Sequence, residues 1–278
     1  MRLIKIVKNL LRPIKNVLIH YFNSGIKFLH TMLPNISIDF LLNRKTFVQM
    51  NNNKIFSLRN MGFISRKRAE TFFSKEPETI EWIDGFSEKD TLLDIGANVG
   101  IYSLYAATKN FQVVALEPQA MNFALLVLNI MDNRMGNYIT AYPFCAHKEN
   151  IISNLKLLDG SDWGTANSSF DRSYSSHGKE IIFDFEHGSY GLPIDELLEK
   201  IDYKPNHIKI DVDGNELLVL LGAINTLRKS YIKSILIELA EDHTEYKKSI
   251  EIMKEAGFII AKKGKSYGTL ANYIFTKN

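Results

Sequence analysis

Thr91-Leu92-Leu93-Asp94-Ile95-Gly96-Ala97-Asn98-Val99-Gly100 is the stretch whose reading decides the fold. Its apolar start predicts a short buried strand and its glycines a sharp turn. Ile101, Leu104, Tyr105 and Ala107 then recur at helical spacing. Strand, glycine turn and helix in that order is the setting that a nucleotide-binding loop requires. Glycine lets the backbone turn and approach a ligand with no Cβ in the way. The spacing departs from the dinucleotide fingerprint, because Asn98 and Ile101 stand where further glycines would be needed. A pyrophosphate cradle is thus incomplete. Asp94 before the turn suits a cationic ligand better than phosphate.

Phe111 to Leu116 predicts a second strand that ends at Glu117-Pro118. A carboxylate at that place can accept hydrogen bonds from both hydroxyls of a ribose. Acid, glycine, asparagine and glycine at this spacing, with the ribose acid behind them, point to S-adenosylmethionine, whose sulfonium and ammonium are cationic. The candidate cofactor residues are Asp94, Gly96, Ala97, Asn98, Gly100, Glu117 and Pro118. Cys145 and Ala146 join them on the adenine side, at the end of a third expected strand, Tyr138 to Ala146.

Further along, apolar runs keep alternating with helical segments. Ile194 to Ile201 predicts a helix with Asp195 as a cap. His207 to Val212 and Ser234 to Leu239 predict strands, and Glu216 to Leu227 and Glu245 to Ala256 helices. Phe258 to Ala261 and Tyr273 to Thr276 predict a closing strand pair. Repeated β-α-β units imply a parallel sheet with helices on both faces. Residues 147–192 break the rhythm with a loop-rich insert, in which only Ile151 to Leu158 and Ile181 to Phe185 resemble strands.

Leu93 to Ser103 resembles the first motif of the FkbM family of S-adenosylmethionine-dependent methyltransferases. His207-Ile208-Lys209-Ile210-Asp211-Val212-Asp213-Gly214-Asn215-Glu216, followed by Val219 to Ala223, is similar to its second hallmark. Asp213 stands where that family mostly has Glu. The resemblance covers residues 76–278. It implies a Rossmann-like class I methyltransferase fold with a mostly parallel seven-stranded sheet, and O-methylation of hydroxyls on sugars, glycans or related small molecules.

Strand alternation places Lys209, Asp211 and Asp213 on one face of the motif strand. Three charges there are costly unless they pair or open into a cleft. Transfer of a methyl group to an alcohol also requires a base, or a metal that acidifies the hydroxyl. Asp211 is the first candidate for that role and Glu238 the second, with Lys209 as a partner and His243 in the following loop. Asp211, Asp213 and Glu238 could hold Mg²⁺ with waters, but no spacing selects a metal, so none is assigned. Within the insert, Trp163, Thr165, Asn167 and Ser168 combine an aromatic with small hydrogen-bonding groups suited to a sugar, and Asp213 of the second motif is a further candidate for substrate contact.

The 278 residues carry 34 Lys and Arg against 31 Asp and Glu, and only one cysteine, which excludes a disulfide scaffold or a zinc ribbon. With 45% apolar and 23% charged residues, wholesale disorder is excluded too. The net charge of +3 conceals a division. Residues 1–54 hold nine basic residues and one acid, so the remainder of the chain is acidic. Leu3, Val7, Leu10, Ile14, Val17, Leu18 and Tyr21 recur at helical spacing among lysines. Residues 1–75 are therefore expected to be a mostly helical basic extension. It would rest on an anionic membrane surface through residues 1–32, on the body, or on a second copy in a homo-oligomer. The longest uncharged run there, Asn16 to Ile26, is too short to span a bilayer. Cytoplasmic placement, free or peripheral to a membrane, is the expectation. A nucleic-acid methyltransferase, with the leader as its electrostatic footprint, is the competing function. The acidic body and the lack of an Asp/Asn-Pro-Pro-aromatic tetrapeptide count against it. A non-catalytic scaffold conflicts with the intact Asp94, Gly96, Gly100 and Glu117.

Overall fold

The computed structural model describes residues 44–50, 53–158, 162–166, 168–174, 177 and 179–277. Expectations for the leader up to residue 43 lie outside the described residues, as does Asn167. The compact unit that holds the fold begins at Lys45.

It opens on an antiparallel hairpin, β1 (Lys45–Met50) and β2 (Asn53–Arg59), where the sequence reading expected helix. The reason is a period-two pattern: Val48, Phe56 and Leu58 are buried while Phe47 and Gln49 are exposed. Helices α1 (Phe63–Glu70), α2 (Phe72–Lys75) and α3 (Pro77–Asp84) follow. Residues 45–75 are thus part of the folded unit and not a separate extension. Asn129 and Asn133, on a later helix, fasten the hairpin. The Asn129 Oδ1 accepts from the Arg59 N–H at 2.8 Å, and the Asn133 Oδ1 accepts from the Ser57 N–H at 2.8 Å.

The main sheet has seven strands: β3 (Thr91–Ile95), β4 (Gln112–Leu116), β5 (Ile139–Tyr142), β10 (His207–Ile210), β11 (Ser234–Ala240), β12 (Phe258–Tyr267) and β13 (Leu270–Lys277). Their spatial order is β12-β13-β11-β10-β3-β4-β5. All neighbours are parallel except those of β13, which runs antiparallel to β11 and β12. This is the mostly parallel, seven-stranded Rossmann-like arrangement that the resemblance implies. Helices α4 (Ile101–Thr108) and α5 (Ala120–Asp132) serve one half; α6 (Ile194–Lys200), α7 (Glu216–Leu221), α8 (Ile224–Leu227) and α9 (Tyr246–Glu255) serve the other. Strand alternation divides the core between the two faces. Leu92, Val113 and Leu236 pack on one side, and Leu93, Val114, Ile235 and Ile237 on the other.

Two expectations are corrected around the insert. The third strand stops at Tyr142, because Pro143 has no N–H to give the ladder. Cys145–Ala146 instead forms β6 in a second sheet with β7 (Ile151–Leu157), β8 (Ser168–Phe170) and β9 (Phe185–Leu192), in the order β6-β9-β7-β8. The insert thus carries three strands joined by long loops. Asp195 does not cap its own helix: its carboxylate accepts from the Asn225 and Thr226 N–H groups at 2.9 and 2.7 Å, at the start of α8. Among the described residues no helix is long and apolar enough to cross a membrane.

Asn129 is fully buried, and its amide also donates to the Val99 carbonyl at 2.9 Å. Asn129→Ala strands a donor and an acceptor, so urea denaturation is expected to show a loss of about 2–4 kcal/mol. A loss below 0.5 kcal/mol, on that same scale of about 1–3 kcal/mol per stranded group, would contradict this role.

Candidate active site

The parallel strands β3 and β10 end side by side, and connections from them leave on opposite faces of the sheet. Ligands bind at such a switch point in open α/β sheets. Gly96 lies there with φ +80°, and a Cβ on it would sit 1.8 Å from the Asp211 carbonyl oxygen. Only glycine lets the first turn and the second motif approach so closely. The Gly96 and Ala97 N–H groups both donate to the Leu116 carbonyl at 2.9 Å, which ties the turn to β4. Asn98 takes a left-handed φ of +51°. Its N–H donates to Glu117 Oε2 at 2.7 Å and its side-chain amide to the Thr165 carbonyl at 2.9 Å. Gly100, also left-handed, opens α4 against Leu126.

Glu117 is buried beside this turn, and its second oxygen accepts from the Gln119 N–H at 2.9 Å. Burial pushes its carboxyl up to about 7, although the two backbone donors work the other way. Gly96, Asn98, Glu117, Pro118, Cys145 and Ala146 all line one cleft. Ala97 is buried in the core instead. Burial also raises the Cys145 thiol, to about 12, and Ser189 Oγ lies 3.4 Å from it, so this cysteine is a neutral wall.

Asp94 does not line the cleft. It is buried beneath it, where the Ser103 hydroxyl donates to Oδ2 at 2.6 Å and Oδ1 has no hydrogen-bond partner among the described residues. Burial raises its carboxyl against the pull of Lys209. The expectation of an acid facing a cationic ligand is corrected: the strand turns Asp94 inward, toward the lysine.

Lys209 is 2% exposed, and its ammonium donates to Asp211 Oδ2 at 2.7 Å. Burial works against its charge, but Asp211, Asp94 and Glu76 outweigh it and raise the lysine. The Tyr102 ring lies 5.2 Å from the ammonium. Asp211 shows the converse. Burial opposes its ionisation, yet Lys209 and Lys75 hold the carboxyl below its usual range. Strand β10 ends at Ile210, so alternation does not continue to Asp213, which has a left-handed φ of +54°. The Asp213 carboxylate accepts from the Ser168 N–H at 3.2 Å. Glu216 shapes this turn by accepting from the Gly214 N–H at 3.0 Å. Asp211, Asp213 and Glu238 line the cleft together. Burial, reinforced by Asp211 and Glu76, raises Glu238 well above an ordinary glutamate.

Thr165 and Ser168 reach the cleft from the insert, and Asn122 on α5 holds the segment in place. Its side chain accepts from the Gly164 N–H at 2.8 Å and donates to the Thr165 carbonyl at 3.0 Å. Trp163 packs against the core and is not a cleft residue. Nor is His243: its Nδ1 accepts from the Glu245 N–H at 3.0 Å and steadies the start of α9. Among the described residues no group of three or more His, Cys, Asp or Glu is arranged to hold a metal ion. Sequence reasoning missed Arg68 and Lys75 from α1 and α2, and Tyr267 and Leu270 from the β12–β13 hairpin. Arg68 and Lys75 were inside the stretch read as a leader, and nothing local distinguishes Tyr267.

The cleft fits S-adenosylmethionine on the chemistry of its donor set. Glu117 can receive ribose hydroxyls, Pro118 and Ala146 form an apolar wall for a base, and Asp213 complements a cation.

Residues 94–260 match the family model "Methyltransferase FkbM domain". Hexuronic acid methyltransferase AglP of Haloferax volcanii is 29% identical over 157 residues, 55% of this chain and 56% of that protein. The chain thus spans about half the length of that relative. Among solved structures, the methyltransferase FkbM of Methylobacillus flagellatus superposes with a TM-score of 0.47 at 18% identity, covering 76% of this chain and 53% of that one. Fibrillarin of Aeropyrum pernix, solved with S-adenosyl-L-methionine, gives 0.44 at 13% identity over 68% and 67% of the two chains.

Free Glu117 holds its proton up to about pH 7, against an ordinary 4.5. It favours folding most below its unfolded value, and that contribution is lost as pH rises through 4.5 to about 7. A ligand that needs the carboxylate ionised must bind more tightly as pH rises through the same value. Calorimetric affinity for S-adenosylhomocysteine is expected to rise about tenfold from pH 6 to pH 8. Glu117→Gln should bind weakly and without that slope; an equal slope in the variant would assign the titration elsewhere.

Proposed function

The chain belongs to the FkbM methyltransferase family and uses S-adenosylmethionine, and from that premise we propose that it methylates a hydroxyl of a sugar, glycan or related small molecule. The observation that carries the reading is Asp211, kept ionised by the buried Lys209 at the meeting of the two motifs. The activity of the Haloferax relative toward hexuronic acid supports a saccharide acceptor.

When bound, S-adenosylmethionine supplies an electrophilic methyl group. The chain's own residues have to place a hydroxyl oxygen in line with it and accept its proton. Alignment is the larger task, since effective molarity alone contributes about 7–11 kcal/mol in well-oriented reactions. Thr165, Ser168 and Asp213 offer polar groups at the cleft for orienting the acceptor. Asp211 takes the proton. Its weak basicity means that it does so as the hydroxyl acidifies during bond formation, not beforehand. Lys209 is a positioning residue: it fixes the Asp211 carboxylate and its charge. Glu238 lines the same cleft, where burial and the neighbouring Asp211 favour its protonated form more than in an ordinary glutamate.

The test is methyl-ether formation, followed by mass spectrometry on saccharide acceptors. Asp211→Asn is expected to lower turnover by about 10²–10⁴-fold, the range of general-base catalysis, while S-adenosylhomocysteine affinity stays within threefold. Full activity in that variant would remove Asp211 from the mechanism.

A further inference from the structure

A second groove adjoins the cleft. Phe63, Lys67, Arg68, Lys75, Leu158 and Thr165 line it, and it shares Arg68, Lys75, Thr165 and Ala166 with the cleft, so the two are continuous. Its charged side chains are three cations and one acid. That acid is occupied: Asp162 accepts from the Ile64 and Trp163 N–H groups at 3.1 and 2.8 Å. Lys75 pairs with Glu76 at 2.8 Å. Lys67 and Arg68 have no ion-pair partner among the described residues. Lys67 lies over the Phe63 ring at 5.7 Å. Arg68 donates its Nε to the Gly164 carbonyl at 2.8 Å, which anchors the guanidinium at the junction, and among the described residues its terminal nitrogens have no hydrogen-bond partner. A planar fork held in this way matches a carboxylate in bidentate fashion, which a lysine cannot do. Phe63 is 59% exposed and offers an apolar face next to these charges. Both α1 and α2 precede the matched residues 94–260, so family membership assigns them no role.

We propose that this groove is the acceptor site and that it takes a saccharide bearing a carboxylate, held by Arg68 with Lys67 beside it and its hydroxyl directed toward Asp211. The inference rests on the methyltransferase reading and adds the charge and the entry route of the acceptor. The same guanidinium could serve the carboxylate of the cofactor itself, and the experiment separates the two sources.

Full-length chain loaded with S-adenosylhomocysteine is titrated with a tetrasaccharide that alternates glucuronate residues, and with its carboxyl-reduced neutral counterpart. The acidic form is expected to bind at least roughly tenfold more tightly, the size of one charge-assisted contact. Arg68→Gln and Lys67→Gln should each shrink that preference and leave S-adenosylhomocysteine affinity within twofold. Equal binding of the two saccharides, or binding of neither by the loaded chain, would overturn the proposal. So would an Arg68→Gln variant that loses S-adenosylhomocysteine affinity but keeps the preference, which would give Arg68 to the cofactor. Failure of the wild-type chain to bind S-adenosylhomocysteine at all is a separate result, because it strikes the methyltransferase reading first.

Discussion

A charged lysine buried under the ends of the central strands sets the terms for everything around it. Taking an ammonium out of water costs several kcal/mol even after relaxation, and the cost is met only by partners held at close range. Lys209 has Asp211 at 2.7 Å, with Asp94 and Glu76 also acting on its charge. These partners come from the residue after β10, from β3 and from the residue before α3, so one ion cluster ties both motifs to the helical layer. It also fixes chemistry. The same lysine that needs a carboxylate keeps Asp211 ionised, while burial and the neighbouring acids push Glu238 the other way. Two acids in one cleft are thereby shifted in opposite directions.

The second constraint is steric. Gly96 lets the first turn touch the Asp211 backbone, where any side chain would collide with a carbonyl. Asn98 and Asn122 then extend that rigid point outward by holding the Thr165 carbonyl, so the insert becomes a wall of the cleft. A loop of glycines, two asparagines and a buried ion pair thus bring together residues more than a hundred positions apart.

How far this was legible in the sequence follows from the range of each interaction. The strand–turn–helix at 91–108 is local, and its apolar run and glycines reported it directly. Glu117 was found because the end of the next strand is fixed relative to the first. Asp94 was misjudged, since its direction depends on a lysine 115 residues later. Lys209 and Asp211 were recognised as costly charges, but alternation was carried too far, to Asp213, because nothing in a tetrad of charges and valine marks where a strand stops. The hairpin at 45–59 was read as helix with the basic leader; its edge is satisfied by Asn129 and Asn133, which a local reading does not see. Arg68 and Lys75 were invisible for the same reason: their place at the cleft comes from the packing of α1 and α2, not from any motif.

What remains is whether the cleft holds the molecule for which its donor set is shaped. Calorimetric titration of the full-length chain with S-adenosylmethionine measures that directly. One site per chain, saturable and displaced by S-adenosylhomocysteine, is the predicted result. A folded chain that takes up no S-adenosylmethionine would contradict the reading of the glycine turn, Glu117 and Asp211 as a methyltransferase centre.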